Sequence, residues 1–316
     1  MSKPRILQIG SLSGSPVANA AVEERYDVLA LWKSPDQAAF LREQAQDIEI
    51  AVTSAVTGIS AEIINALPNL KAICSWGVGY DTLDIAAAHA RNIQVSNTPE
   101  VLDDCVADIA WGLLLACPRQ IALGDRFVRA NHWENKTASL PLGMRVSGKK
   151  LGIVGLGNIG LAIAKRGLGF DMQVAYHNRR KRDDVTYDYF DSLIELAKWS
   201  DFLMIATVGG ASTRHLINEE VMRALGPQSV LVNIARGSVI DEQALVKVLA
   251  EGALGGAALD VFDKEPKVPD ALKTMDNVVL LPHIASATVE TRKAMLDLML
   301  ENIDAFLKTG QVVTPV

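Results

Sequence analysis

The sequence predicts an α/β chain built on parallel sheets with helices on both faces. Three observations carry the prediction. Short β-rich runs alternate with helical patterns almost from end to end, the signature of parallel strands joined by crossover helices. A length of 316 residues suits two domains rather than one. Between Val101 and Ala130 the pattern changes, with more apolar positions than one amphipathic face needs, and this stretch separates two series of strands.

The first series reads as strands at residues 5–9, 28–31, 48–52, 72–74 and 93–95. Ser34 ahead of Pro35 offers an N-cap with proline at the first helical position, and Ser60 with Glu62 offers another helix start. In the separating stretch, Val101, Ala107, Ile109, Ala110, Leu113, Leu114 and Cys117 predict a helix buried on several sides. Trp111, Leu123, Phe127 and Trp133 are read either as an oligomer surface or as part of a domain-linking core helix.

The second series reads as strands at residues 150–154, 173–176, 202–206, 229–233, 256–259 and 277–281. Asp191, Asn218 and Asp241 are expected to cap the helices between them, and one long helix is expected from Thr288 to about Leu307, stopping at Gly310. No internal repeat or flexible linker interrupts the pattern.

Composition removes several classes of function. The chain is 49% hydrophobic and 22% charged, so disorder and collagen-like repetition are excluded. With 31 basic and 37 acidic side chains the net charge is −6, a poor match to bulk nucleic acid or an anionic membrane. Cys74, Cys105 and Cys117 form no C-x-x-C pair and are expected to be buried free thiols of a reducing compartment. The N-terminus shows no apolar signal-peptide core, and the longest apolar stretch is too short to span a bilayer, so a cytoplasmic protein is expected.

Gly155-Leu156-Gly157-Asn158-Ile159-Gly160 is a G-x-G-x-x-G. The motif alone is weak, but here it directly follows an apolar strand and directly precedes a helical pattern. Such a turn needs its first glycine for the bend, its second for the approach of a pyrophosphate and its third for close packing of helix on strand. Amides at the helix start, including those of Asn158 and Ile159, would then face the anion. The next strand of such a unit ordinarily ends in an acid that binds the adenosine ribose of NAD. Asn178 stands there instead, followed by Arg179, Arg180, Lys181 and Arg182. Loss of the carboxylate removes its repulsion of a 2′-phosphate, and a guanidinium grips that phosphate bidentately. A charge pair at 4 Å is worth ~4 kcal/mol at an effective dielectric near 20, before desolvation. The expected coenzyme is therefore NADP(H), against a solvated basic turn or a nuclear-import signal.

Ligands of doubly wound sheets sit beyond the carboxyl ends of the strands. Those ends supply Asn233, Ile234, Ala235 and Arg236 after one strand, Asp260 and then Glu265 after the next, and His283 after the last. An arginine, an acid and a histidine from three loops can thus converge. Of the five histidines, only His283 combines a strand end with a carboxylate on a neighbouring loop.

With those residues in view, the chain resembles the D-isomer-specific 2-hydroxyacid dehydrogenase family along essentially its whole length, and most of all its NADPH-dependent glyoxylate/hydroxypyruvate reductases. The shared stretches are residues 67–70, 77–81, 95–99, the glycine turn, 233–241, 255–266 and 281–292. The resemblance implies NADPH-dependent reduction of small 2-oxo acids to 2-hydroxy acids. It casts Arg236 as holder of the substrate carboxylate and polariser of the 2-oxo oxygen, and His283 as general acid. Glu265 would hydrogen-bond His283 and fix its ring. Asp260 would bind the nicotinamide carboxamide, Ile234 and Ala235 would line the coenzyme site, and the amides of Val78 and Gly79 would bind the same carboxylate.

Two departures from the family pattern stand out. Trp76 replaces a smaller residue beside the carboxylate loop, either narrowing the pocket or filling core, and Asp103 stands where relatives often have Thr beside the nicotinamide. The resemblance further implies two Rossmann-like, doubly wound parallel-sheet domains. The substrate domain would be discontinuous and flavodoxin-like (1–97 completed by 288–316), with an inserted dinucleotide-binding domain (98–287). The two crossings would act as a hinge over the substrate, and the 100–145 region would form a homodimer contact. The rival readings are a dinucleotide-sensing transcriptional co-regulator of the same fold, D-3-phosphoglycerate dehydrogenase and formate dehydrogenase. The short C-terminus, the net charge, the basic run and the Glu265 partner of His283 weigh against them.

Overall fold

The structure is a computed structural model that describes residues 3–12 and 15–316. The chain begins β1 (Arg5–Gln8), α1 (Pro16–Arg25), β2 (Asp27–Ala30), α2 (Gln37–Gln44), β3 (Ile50–Ser54), α3 (Ala61–Asn65), β4 (Ala72–Trp76), α4 (Ile85–Ala90) and β5 (Gln94–Ser96). Three helices follow: α5 (Asp103–Ala116), α6 (Ile121–Arg129) and α7 (His132–Asn135). The second series is β6 (Lys150–Val154), α8 (Asn158–Leu168), β7 (Gln173–His177), β8 (Asp188–Tyr189), α9 (Leu193–Trp199), β9 (Phe202–Ile205), α10 (Glu219–Leu225) and β10 (Val230–Asn233). It ends with α11 (Glu242–Ala250), β11 (Gly256–Leu259), α12 (Asp270–Lys273), β12 (Val278–Leu280) and the long α13 (Val289–Thr309).

The chain packs as two compact units, one holding residues up to Leu102 plus Ser286–Val316, the other Asp103–Ala285. The first unit is a parallel five-stranded sheet in the order β2-β1-β3-β4-β5, the flavodoxin-like order. Its core includes Leu7, Leu31, Ala51, Ile64, Leu67, Ile73 and Val95, all essentially removed from water. The second unit is a parallel seven-stranded sheet in the order β12-β11-β10-β9-β6-β7-β8. Its strand order reverses between β6 and β9, where doubly wound sheets bind their ligands. The central strands β9 and β10 are buried throughout, as strands covered on both faces must be.

Local signals account for most element ends. Ser60, Asn218 and Asp241 cap their helices as expected, each accepting from an amide of the first turn. Thr288 caps α13, and Gly310 closes it in the left-handed conformation at φ +74°. Two expected caps are displaced. Ser34 ends a short 3-10 turn, and Asp36 caps α2 through the amide of Ala39. Ser192, not Asp191, caps α9 through the amide of Glu195. In both cases the true cap is the polar residue immediately before the first apolar turn. The two-residue strand β8 has no counterpart in the sequence pattern, being too short for a period-2 signal.

The apolar stretch after Val101 is broken at Gln120, which takes a left-handed conformation, so α5 and α6 meet at a bend of 65°. Trp111 of α5 belongs to the core and not to a surface. It is 5% exposed, stacks on Phe170 at 4.6 Å and donates from Nε1 to the carbonyl of Ile163. α6 buries none of its residues. Among the described residues no single helix is long and apolar enough to cross a membrane.

Candidate active site

The glycine turn follows β6 at the point of strand-order reversal. Gly155 has φ +96°, and a Cβ there would lie 2.6 Å from the Thr207 backbone, so only glycine lets this turn pass β9. A Cβ on Gly160 would lie 2.2 Å from the Gly155 carbonyl oxygen, so α8 packs directly onto the turn. Gly157 is different: no atom lies within 4 Å of its Cβ position. As N-cap of α8 it brings no side chain to the first amides of the helix, those of Asn158 and Ile159 among them. The turn therefore leaves open the one place where a pyrophosphate needs backbone contact, and the residues present fit a dinucleotide.

The supports of the turn are side chains from the following loop. Asn178 Oδ1 accepts from the amide of Leu156 at 2.7 Å. Arg182 donates to the carbonyl of Leu156 at 2.7 Å and pairs with Asp184. Arg182 thus differs from the other cations of the basic run, because its guanidinium is committed to the turn. Arg179, Arg180 and Lys181 are exposed at the end of β7.

Three loops at the carboxyl ends of β10, β11 and β12 carry the remaining groups. Asn233 folds its side chain into its own loop, accepting from the amide of Ala235 at 3.0 Å and donating to the Arg236 carbonyl at 2.9 Å. Ile234 and Ala235 are buried beside it and Arg236 is half-buried. A Cβ on Gly237 would lie 1.8 Å from the Phe262 carbonyl carbon, so the Arg236 loop lies in backbone contact with the Glu265 loop.

Glu265 Oε2 lies 2.8 Å from His283 Nδ1, and its Oε1 accepts from the amide of Phe262 at 3.0 Å. Burial pushes the Glu265 carboxyl upward, but His283, the Phe262 amide and the Arg236 charge outweigh it and hold the group below the usual carboxylate range. Glu265 is therefore an anion at neutral pH, Nδ1–H is the donor, and Nε2 is the ring nitrogen left for chemistry. His283 sits at φ +55°, a conformation that aims its side chain out of line with the strand.

Asp260 is fully buried, and its two oxygens accept from the amides of Ile284 and Ala285, each at 2.8 Å. Its backbone carbonyl accepts from the amide of His283 at 2.8 Å. Burial raises the Asp260 carboxyl, against the two amide bonds. The sequence suggested a coenzyme contact for this residue; the structure adds a hold on the His283 loop, which strand patterning gives no means of seeing.

In the first unit, Val78 and Gly79 follow β4. Trp76 is core, 3% exposed, with the Arg292 guanidinium 4.9 Å above its ring. Asp103 is half-buried in the first turn of α5. Of the thiols, Cys74 and Cys117 are buried and Cys105 is only half-buried, so the expectation of three buried cysteines holds for two. Among the described residues no cluster of side chains has the makings of a metal site.

Fold and site together define a nicotinamide-dinucleotide oxidoreductase of the doubly wound class. Residues 111–285 match the family described as D-isomer specific 2-hydroxyacid dehydrogenase, NAD binding domain. The chain is 44% identical over 311 residues to a hydroxyphenylpyruvate reductase of Plectranthus scutellarioides, covering 98% of this chain and 99% of that one. It is 44% identical over 295 residues to a glyoxylate/hydroxypyruvate reductase of Arabidopsis thaliana, covering 93% and 94%. The crystal structure of an NADPH-dependent glyoxylate/hydroxypyruvate reductase of Sinorhizobium meliloti, in complex with NADP and malonate, superimposes with a TM-score of 0.93 at 40% identity over 100% of this chain and 97% of that one. The chain belongs to the D-isomer-specific 2-hydroxyacid dehydrogenase family.

Proposed function

We propose that the protein reduces small 2-oxo acids with NADPH, glyoxylate to glycolate and hydroxypyruvate to D-glycerate. The observation that carries this reading is the 2.8 Å pair of Glu265 and His283 on a loop held by Asp260, next to the loop of Arg236. The names of the Arabidopsis and Sinorhizobium relatives support the substrate class and the coenzyme.

Arg236 binds the substrate carboxylate and polarises its 2-oxo oxygen, since a planar fork matches that anion. When bound, the reduced nicotinamide supplies a hydride to C2 of the substrate. His283 gives the proton from Nε2 to the oxygen at C2, and Glu265 keeps the ring oriented and balances the imidazolium charge before transfer. Gly155, Leu156, Gly157, Asn158, Ile159 and Gly160 receive the pyrophosphate, with Ile234, Ala235 and Asp260 on the nicotinamide side. Asn178, by lacking a carboxylate, tolerates a 2′-phosphate that Arg179 and Arg180 bind. We assign the amides of Val78 and Gly79 to the substrate carboxylate as well.

We assign residues 1–97 with 288–316 to substrate binding and 98–287 to the coenzyme. The free thiols favour the reducing cytoplasm. The 100–145 region presents Ile121, Val128, Trp133 and Leu142 to solvent at 56%, 53%, 74% and 99% exposure, which favours a second copy of the chain as its cover; light scattering at working concentration reads the dimer directly.

Initial rates of NADPH oxidation with glyoxylate, hydroxypyruvate, pyruvate and phenylpyruvate test the function. Turnover highest with the first two supports it, and absence of turnover with every 2-oxo acid overturns it.

A further inference from the structure

We propose that Thr314, in the C-terminal tail, is a positioning residue for the substrate-carboxylate amides, acting through Asn97 on the loop of Val78 and Gly79. The inference rests on the proposed role of those two amides and adds the device that aims them.

The loop after β4 spends its other polar groups inward. Gly77 stands at φ +131°, and a Cβ there would lie 2.6 Å from that of Ala55. Its amide donates to Thr98 Oγ1 at 3.1 Å, and its carbonyl accepts from the Thr98 amide at 3.0 Å. The Val78 carbonyl accepts from Asn97 Nδ2 at 2.8 Å. Among the described residues no acceptor meets the amides of Val78 and Gly79, so they are the donors the clamp leaves over. Two successive residues, Asn97 and Thr98, therefore set the orientation of the loop.

Asn97 is in turn held by the tail. Its backbone carbonyl accepts from Thr314 Oγ1 at 2.6 Å. The same hydroxyl accepts from Asn302 Nδ2 at 3.0 Å, and Asn302 Oδ1 accepts from the amides of Val313 and Thr314 at 2.9 and 3.0 Å. Asn302 is fully buried within α13, so the chain of bonds starts from a fixed point. Elsewhere the tail is fastened by backbone pairing: Pro315 bridges Ser96 antiparallel, and the Val316 amide donates to the Val95 carbonyl at 2.9 Å. That pairing would anchor the tail without Thr314. What the hydroxyl adds is a bond to the residue whose side chain holds Val78, and buried polar chains of this kind transmit orientation when every member is satisfied.

Thr314→Val keeps shape and removes the hydroxyl, and Thr314→Ser restores it. The expected result for Thr314→Val is a roughly three- to tenfold rise in KM for glyoxylate and in Kd for oxalate, the scale of one lost hydrogen bond. NADPH affinity stays at the wild-type value, kcat changes less than twofold, Tm falls by only the few degrees of one lost hydrogen bond, and Thr314→Ser recovers both constants and Tm. Unchanged glyoxylate KM and oxalate Kd in Thr314→Val overturn the proposal. A fall in Tm with NADPH and glyoxylate constants worsening together assigns Thr314 to folding alone and overturns it equally. A wild-type protein that neither turns over glyoxylate nor binds oxalate overturns the functional reading itself, a failure distinct from both.

Discussion

Arg182 donates from its guanidinium to the carbonyl of Leu156 across 2.7 Å, so one cation of the basic run serves the glycine turn rather than solvent. Asn178 holds the amide of the same residue, and Leu156 is thereby fixed on both its polar groups. The run after β7 divides into a brace, Arg182, and three exposed cations, Arg179, Arg180 and Lys181.

That division separates two coenzyme phenotypes. Arg179→Ala with Arg180→Ala is expected to raise the Kd of NADPH by roughly 10- to 100-fold, the scale of lost hydrogen bonds to a charged group, while NADH is spared. Arg182→Ala loosens the turn and is expected to weaken both coenzymes. Fluorescence titration with each coenzyme distinguishes the two; equal losses in the double variant contradict a 2′-phosphate site.

Two glycines predict opposite outcomes. Gly157→Ala meets open space, so Tm is expected to stay near wild type while NADPH binding falls, because the new methyl occupies the pyrophosphate's approach. Gly237→Ala drives a methyl into the Phe262 backbone and is expected to cost ~1–3 kcal/mol or more of stability. Thermal melts with and without NADPH read both effects.

The Glu265 carboxyl is held below its ordinary value, which is about 4.3 in an unstructured chain. A depressed acid contributes stability that is complete above that ordinary value and is lost as pH falls through the lower folded value. Its share of activity follows the same sign. The kcat/KM profile for glyoxylate should therefore show no inflection from Glu265 above pH ~4.3. Glu265→Gln should reduce kcat by ~10²-fold, as expected when the partner of a general acid loses its charge. An inflection in the wild-type profile between pH 5 and 6 that vanishes in Glu265→Gln contradicts the ionised partner.

Cys74 and Cys117 have thiols pushed up to about 12 by burial. Neither is expected to react with iodoacetamide at pH 8 in the folded protein, and both should react in denaturant. Mass spectrometry of tryptic peptides reads the labelling, and fast native modification of either would place it at the surface.

Much of this architecture was legible from residues alone, because strand–helix alternation and the period of apolar positions are local signals. The G-x-G-x-x-G turn and the loop positions of Arg236, Glu265 and His283 follow from strand ends, and strand ends are visible where an apolar run stops. What local pattern does not carry depends on partners distant in sequence. Trp111 reads equally as surface or core until Phe170 and Ile163 are seen beside it. Arg182 looks like Arg179 until the Leu156 carbonyl is placed 26 residues back along the chain. The grip of Asp260 on Ile284 and Ala285 spans two strands, and Thr314 meets Asn97 across 217 residues. The small strand β8 and the shifted caps at Asp36 and Ser192 show the converse: very short elements carry too few residues for pattern to decide.

In the proposed reaction His283, oriented by Glu265, delivers the proton as the 2-oxo acid is reduced. Single-turnover oxidation of bound NADPH by glyoxylate, compared between the wild type and His283→Ala, tests it most directly. The expected rate in the variant is lower by ~10²–10⁴-fold, with NADPH affinity unchanged. A variant that oxidises NADPH at close to the wild-type rate would contradict it.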